Sequence, residues 1–181
     1  VAALTNQDRA RLHQLGVRLG SASVYVPALL KPAPTRLACL LWAVQAGVTP
    51  LLPPPPGRVS LAVDPTLPAG YWQAAGFRVF DAIALRVDMA ERLAGKARAL
   101  AKAGPFPATA ELLSLAGCSR EQLVPVLRGL GYAAATGEAG TVFSRQAKAK
   151  RDRRGKTRRD RKAVERSAAS PFAMLKDIAR R

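Results

Sequence analysis

The sequence is poor in the residues on which most catalytic and metal sites depend. It has one histidine, His13, and two cysteines, Cys39 and Cys118, among 181 residues. These three side chains cannot complete the four-ligand shell of a zinc site. We therefore expect no metal, and two cysteines that are reduced and structural.

Motifs of nucleotide hydrolysis and nucleophilic catalysis are also missing. Neither a phosphate-cradling G-x-x-x-x-G-K-[ST] loop nor a G-x-S-x-G turn occurs. Asp88 and Glu91 are spaced i and i+3, but they fall at a predicted helix start, where acids interact favourably with the helix dipole. We predict no catalytic centre and no cofactor in this chain.

Long apolar runs are absent too. None reaches the roughly 18–20 residues needed to span a bilayer, and no signal peptide opens the chain. The first residue is Val1 rather than Met. We expect a cytoplasmic protein, and a fragment of something longer.

Acidic residues are scarce beside the basic ones, and the formal net charge is +17. Residues 145–166 contain 12 Lys or Arg against 3 Asp or Glu, whereas residues 1–144 contain 14 against 8. Such a concentrated cationic segment is typical of contact with a polyanion, most often nucleic acid. The alternative is a solvated tail that only aids solubility. The candidate phosphate-binding residues in this segment are Lys148, Lys150, Arg151, Arg153, Arg154, Lys156, Arg158, Arg159, Arg161 and Lys162.

The hydrophobic pattern predicts an α+β fold that is mostly helical. Six segments follow one another: a helical segment, a Pro-rich linker, a small β-rich segment, a winged-helix-like unit, a basic tail and a terminal helix. Their predicted ranges are 1–48, 49–57, 58–88, 89–145, 146–169 and 170–181. The tail is expected to be disordered alone, because it has almost no large apolar residue to bury.

The order of elements in residues 89–145 is that of a winged helix: three helices followed by a β-hairpin. Thr109 is predicted to cap the second helix, and Ser119 with Gln122 has the spacing of a capping box at the third. The predicted elements are Met89–Ala103, Ala110–Ala116, Arg120–Leu130, Tyr132–Thr136 and Thr141–Ser144.

The third helix of this unit is predicted to face inward with Leu123, Val126, Leu127 and Leu130, leaving Arg120 and Arg128 outward. A helix that reads a DNA groove usually offers several polar side chains near its start. Here few are present, and Pro125 removes a backbone donor. We therefore expect a rigid support, with Arg120, Arg128 and Arg145 as secondary contacts to a phosphate backbone.

In the first half of the chain, Thr5 and Thr35 are predicted to cap helices over residues 6–15 and 36–46. The second helix is apolar nearly all round, which is typical of burial on several sides. It is expected to pack against a neighbouring domain. Pro53–Pro56 predicts a stiff spacer, and Trp72, in a glycine-flanked turn, is the preferred exposed aromatic for base stacking.

The strands of the β-rich segment are predicted from alternating apolar residues. They are Arg58–Val63, Phe77–Phe80 and Ile83–Val87, with a short helix at 69–75.

Several of these segments resemble one family. Leu15-Gly-Val-Arg-Leu-Gly, Ser23-Val-Tyr-Val-Pro-Ala-Leu-Leu-Lys-Pro and Leu40-Leu-Trp-Ala are similar to the region after the second motor domain of bacterial relatives of the mitochondrial RNA-degradosome helicase. These are superfamily-two DExH-type helicases. Leu85-Arg-Val-Asp-Met-Ala-Glu-Arg-Leu, Leu127-Arg-Gly-Leu-Gly-Tyr and the closing Pro171-Phe-Ala-Met-Leu resemble their C-terminal part.

The resemblance implies an accessory C-terminal region that guides a single RNA strand leaving an upstream pair of RecA-like motor domains. ATP and magnesium would be bound by that parent motor, since this chain lacks the motor motifs. Two alternatives remain open: a protein-interaction module that binds a ribonuclease or ribosomal component, and a DNA-binding winged-helix regulator.

Overall fold

A computed structural model describes residues 3–68, 70–137 and 140–146. Residues Val1–Gln146 form one compact unit of mixed helix and sheet. The predicted basic tail from residue 147 onward and the predicted terminal helix at 170–181 lie outside the described residues.

The described helices are numbered α1 to α6 along the chain, with one 3-10 turn at Pro27–Leu30. They are α1 Asn6–Gln14, α2 Pro32–Ala46, α3 Tyr71–Ala74, α4 Val87–Ala103, α5 Ala110–Ala116 and α6 Arg120–Gly129. The described strands are β1 Arg18–Leu19, β2 Val24–Tyr25, β3 Ser60–Ala62, β4 Phe77–Phe80, β5 Ile83–Arg86, β6 Phe106–Pro107, β7 Tyr132–Gly137 and β8 Gly140–Arg145.

The strands form three small antiparallel sheets. β1 pairs with β2, β5 lies between β3 and β4, and β8 lies between β6 and β7. The strands β4 and β5 agree closely with their predicted ranges, and β3 is shorter than predicted. β6 was not predicted because it has only two residues, Phe106 and Pro107. A two-residue strand has no measurable alternation, and β6 acquires its pairing only when β8 comes alongside.

Local capping signals in the sequence set several helix ends, as predicted. The Thr5 side chain accepts the backbone N–H of Asp8, whose carboxylate accepts the Thr5 N–H, which makes a reciprocal capping box. Ser119 and Gln122 form the same arrangement at α6. Thr109 caps α5, which ends at Gly117 in the left-handed conformation that glycine adopts without strain.

The predicted start of α2 is wrong. The helix begins at Pro32, four residues before the predicted Arg36, because proline fits the first helical turn, where no partner for its missing N–H is needed. Thr35 therefore lies inside the helix. It is buried, and its Oγ1 donates to the carbonyl oxygen of Leu29 at 3.0 Å.

Within the described residues α2 is buried along one side only, and its expected packing against a neighbouring domain stays a prediction. Its buried side chains are Thr35, Cys39 and Ala43, which recur every four residues and form one narrow stripe. The rest of its apolar surface is exposed. The exposed apolar side chains are Leu37, Leu40, Leu41 and Val44, at 45–72% of their full accessibility.

The main core lies between α4, α5, α6 and the two three-stranded sheets. Phe80, Ile83 and Leu85 of the first sheet belong to the same cluster of buried side chains as Phe143 of the second. Helical members include Leu93, Leu112, Leu123, Val126 and Leu127, each at 0% exposure. The inward face predicted for α6 is thus confirmed at three positions, and Leu130 is partly buried.

The Pro-rich segment lies within the compact unit. The Tyr71 hydroxyl donates to the carbonyl oxygen of Leu52 at 2.8 Å, and Pro53 and Pro54 are half-buried. None of the helices in the described ranges combines the length and apolar character required to cross a membrane.

Replacing Leu127 by alanine tests the main core. We expect a loss of about 2–5 kcal/mol in the free energy of unfolding, because a side chain with no exposed surface leaves a cavity. Leu41→Ala is the matched control, since this helical leucine is 60% exposed; its cost should stay below about 1 kcal/mol. Urea denaturation followed by circular dichroism measures both. Equal losses would contradict the described core.

Candidate nucleic-acid interface

The three arginines predicted to contact phosphates outside the tail are all exposed. Arg120 is the first residue of α6, Arg128 is on the side of α6 that faces away from its buried residues, and Arg145 ends β8. Arg120 and Arg128 are eight residues apart, which is about 12 Å along a helix. They therefore stand at opposite ends of α6.

Arg128 and Arg145 are brought together by the backbone at the end of α6. The Gly131 N–H donates to the carbonyl oxygen of Arg128 at 2.9 Å, and the Gln146 N–H donates to that of Gly131 at 3.1 Å. Arg145 also pairs in register with Tyr132. The chain thus leaves the folded unit, toward the basic segment, beside the C-terminal end of α6.

The other predicted phosphate contacts lie outside the described residues, so they stay predictions. They are Lys148, Lys150, Arg151, Arg153, Arg154, Lys156, Arg158, Arg159, Arg161 and Lys162.

Trp72 is half-buried rather than exposed as expected. Its ring stands edge-on to Tyr71 and Phe77, with ring centres 5.3 and 5.9 Å away. Its Nε1 is buried and has no hydrogen-bond partner within the described part of the chain. The ring packs beside Cys39, Ala75, Phe77 and Ala84 and so covers one face of the first three-stranded sheet.

Glu91 has a role that its position in the sequence does not indicate. Its carboxylate reaches from α4 to the turn between β1 and β2, 70 residues away in the chain. It accepts the backbone N–H groups of Ser21, Ala22 and Ser23 at 2.7, 2.8 and 3.2 Å, and the Ser21 hydroxyl at 2.9 Å. The turn is thus an anion-binding nest that an internal carboxylate fills.

Asp88, predicted to share a helix-start role with Glu91, forms a different contact. It binds the Arg86 guanidinium through two hydrogen bonds of 2.7 and 2.9 Å. The two acids therefore bind different partners, although they lie within one turn of α4. Their spacing alone did not reveal this, because the partners of Glu91 come from a distant part of the chain.

The environment of Glu91 favours its ionised form. Burial, the largest effect, raises the pKa of this carboxyl, but the hydrogen bonds from the backbone of Ser21, Ala22 and Ser23 and from the Ser21 side chain together outweigh it. The net result is a pKa below the ordinary value of 4.5. The carboxylate is therefore charged at neutral pH.

Gly20 permits this close approach. A Cβ atom at that position would collide with the Glu91 carboxylate and would lie 2.7 Å from the Ser23 carbonyl oxygen. Neither contact leaves room for a side chain, so the turn requires glycine here.

Two arginines hold the same turn from other elements. Arg78 of β4 donates to the Ala22 carbonyl oxygen at 2.7 Å and to that of Gly129 at 3.4 Å, and its guanidinium lies 4.9 Å from the centre of the Phe80 ring. Arg98 of α4 donates to the Ser21 hydroxyl. The turn at residues 20–23 thereby joins the first hairpin to α4, β4 and the end of α6.

The two cysteines are free, as expected. Burial raises the pKa of Cys39 above its usual value and that of Cys118 to about 11, so both thiols stay protonated at neutral pH. Among residues 3–68, 70–137 and 140–146, no cluster of three or more His, Cys, Asp or Glu is placed to hold a metal ion.

No protein-family model, curated protein or solved structure matches this chain. A function for the chain is therefore inferred from its residues and their geometry.

Replacing Glu91 by glutamine tests the link between α4 and the first hairpin. At neutral pH we expect a loss of about 1–3 kcal/mol in the free energy of unfolding, because the amide cannot accept all the donors that surround the carboxylate. The folded-state pKa is lowered, so this stabilisation is present above the ordinary value of 4.5 and is lost as the pH falls through the folded value. The difference between the variant and the parent chain should therefore shrink at acid pH.

Glu111→Gln is the matched control. This exposed glutamate contacts Lys96 at 2.6 Å on the surface, and such a pair contributes about 1 kcal/mol or less. Denaturant titrations across a pH series measure both variants. A Glu91→Gln penalty that is independent of pH, or no larger than that of Glu111→Gln, would show that the contact does not stabilise the fold.

Proposed function

We propose that this chain is a non-catalytic C-terminal accessory region of an ATP-dependent RNA helicase. It binds RNA through the phosphate backbone, and upstream RecA-like motor domains bind ATP and magnesium. The observation that carries the proposal is the run of 12 basic residues at 145–166, which begins where the chain leaves the folded unit beside the exposed Arg128. Phosphate attraction is tolerant of sequence, as such a role requires.

The second part of the proposal is that α4, α5, α6 and their sheet form a winged helix. The order of elements supports it: a helix, a strand, two helices and two strands, with the first strand beside the last one in the sheet. In this proposal the unit is a rigid support. It presents Arg128 beside Arg145, the residue at which the basic sequence begins, and Arg120 at the far end of α6, as secondary contacts with phosphates.

The proposed cellular setting follows from the proposed activity. RNA and the upstream motor domains are the partners, and the cytoplasm is the compartment. The resemblance of residues 15–43 to the region behind the second motor domain supports this assignment.

A protein-interaction module is the second candidate, and one observation favours it. Leu37, Leu40, Leu41 and Val44 form an exposed apolar face on α2, and such faces often mark contact with another protein surface. A pull-down from nuclease-treated lysate separates the two candidates, since partners that disappear together with the RNA favour the first.

The DNA-binding regulator has less support. The exposed polar residues at the start of α6 are few, and Pro125 interrupts its backbone hydrogen bonds. A nuclease footprint with a clear sequence preference would favour this alternative over RNA binding.

Deleting residues 148–166 tests the proposed function. We expect a large loss of affinity for single-stranded RNA and a shallower dependence of affinity on salt, because removing one phosphate-binding cation lowers the slope of log K against log salt by about 0.7. Fluorescence anisotropy with a labelled oligonucleotide over a salt series measures both. A variant with the residues of this segment in shuffled order is the control, and it should bind as the parent does. An unchanged affinity of the deletion variant at low salt would refute binding through the tail.

A further inference from the structure

A cavity of about 440 Å³ lies between α1, the first hairpin and α4. Its lining includes Arg9, His13, Arg18, Tyr25 and Glu91. Cavities of roughly 300–1,000 Å³ are typical of small-ligand sites, so the space suits a single nucleotide. Its lining combines two arginines and a histidine with an aromatic ring.

The hairpin places a cation beside the ring. Arg18 of β1 and Tyr25 of β2 are directly paired in the antiparallel ladder. Side chains at paired positions project from the same face of a sheet, with Cβ atoms about 5 Å apart. A guanidinium and a phenol ring therefore stand side by side at the edge of the cavity.

Helix α1 adds two nitrogen-bearing side chains from the opposite wall. Arg9 and His13 are four residues apart, which puts them on one face of the helix. The Arg18 guanidinium donates to Nε2 of His13. This contact joins the two walls and holds Arg18 at the cavity.

Two acids near this cavity, among the residues that the structure describes, are already hydrogen-bonded. Glu91 accepts four hydrogen bonds from the turn at residues 21–23. Asp8 of α1 accepts the N–H and hydroxyl of Thr5. Among the described residues that line the cavity there are two arginines and one carboxylate, and that carboxylate is already hydrogen-bonded, so the Arg18 side suits an anionic group.

Tyr25 differs from the other aromatic residues considered for base stacking. Tyr132 and Phe143 are buried in the main core, and Trp42 and Trp72 both stand edge-on to Tyr71. Tyr25 is half-buried and lines a basic cavity. Stacking of one base on such a ring, with the neighbouring phosphate at a cation, is a common way to hold a single strand.

We propose that this cavity holds one nucleotide of a single RNA strand, with the base against Tyr25 and the phosphate at Arg18. This inference rests on the proposed RNA-binding function and adds a second binding point, remote in sequence from the basic segment. A base inside a duplex is not accommodated, since both of its faces are already stacked on neighbouring bases.

The test measures binding of a labelled single-stranded oligouridylate by the full chain over a salt series. For Arg18→Gln we expect the slope of log K against log salt to fall by about 0.7, the effect of removing one phosphate-binding cation. For Tyr25→Leu we expect about a tenfold loss of affinity. An abasic oligonucleotide of the same length should bind Tyr25→Leu and the parent chain equally, because it has no base to stack.

Arg11→Gln is the matched control. Arg11 lies on α1, is exposed, and is two residues from both Arg9 and His13, so it points away from the cavity. The Arg11→Gln substitution should leave both the affinity and the slope of log K against log salt unchanged. Arg18→Lys keeps the charge and should restore the slope, which separates phosphate binding from a structural effect on the hairpin.

Three outcomes overturn the proposal: equal slopes for Arg18→Gln and Arg11→Gln, an Arg18→Lys slope like that of Arg18→Gln, or a Tyr25→Leu loss of equal size on the abasic probe. In each case, binding that still depends on residues 148–166 leaves the proposed function standing. If the parent chain does not bind the oligonucleotide at low salt, the proposed function itself fails.

Discussion

The Glu91 carboxylate accepts three backbone N–H groups and one hydroxyl from a single turn, and this contact fixes the first hairpin to α4. The hairpin has only two paired residues in each strand, and a ladder of that length is marginal by itself. The charge-assisted hydrogen bonds supply further stability, because three backbone N–H groups all point at one anion. Gly20 is required for the same reason, since any side chain there would displace the carboxylate.

The consequences of this contact extend through the unit. Arg78 and Arg98 bind the same turn, and Arg78 also reaches the last turn of α6 through the Gly129 carbonyl. The basic cavity proposed to hold a nucleotide exists only because the hairpin is held against α1 and α4. One network of hydrogen bonds thus connects the proposed nucleotide cavity with the end of α6, where Arg128 and Arg145 lie.

The sequence predicted best those features that depend on near neighbours. The Thr5 cap, the capping pair Ser119–Gln122, the ends of α5 and the inward face of α6 are all set by residues within one or two turns. The predicted start was wrong at α2, where two local signals competed. Pro32 begins the helix three residues before Thr35, the residue that was predicted to cap it. Prediction from the sequence also failed for short elements whose existence depends on a partner, as for β6, which forms only against β8. Trp72 was expected to be exposed because glycine surrounds it, yet few aromatic residues are available to cover the first three-stranded sheet, and this ring does so.

The sequence by itself determined the mixed helix and sheet character, most helix ends, the apolar stripe of α6 and the concentration of positive charge after residue 144. Each follows from composition or from interactions over a few residues. The tertiary structure decided the partners of Glu91, the exposed face of α2 and the meeting of Arg18, Tyr25 and His13 at one cavity. These depend on contacts between residues up to 70 positions apart, such as Ser21 with Glu91. Spacing along the chain does not report such contacts, because they form only when several elements pack at once.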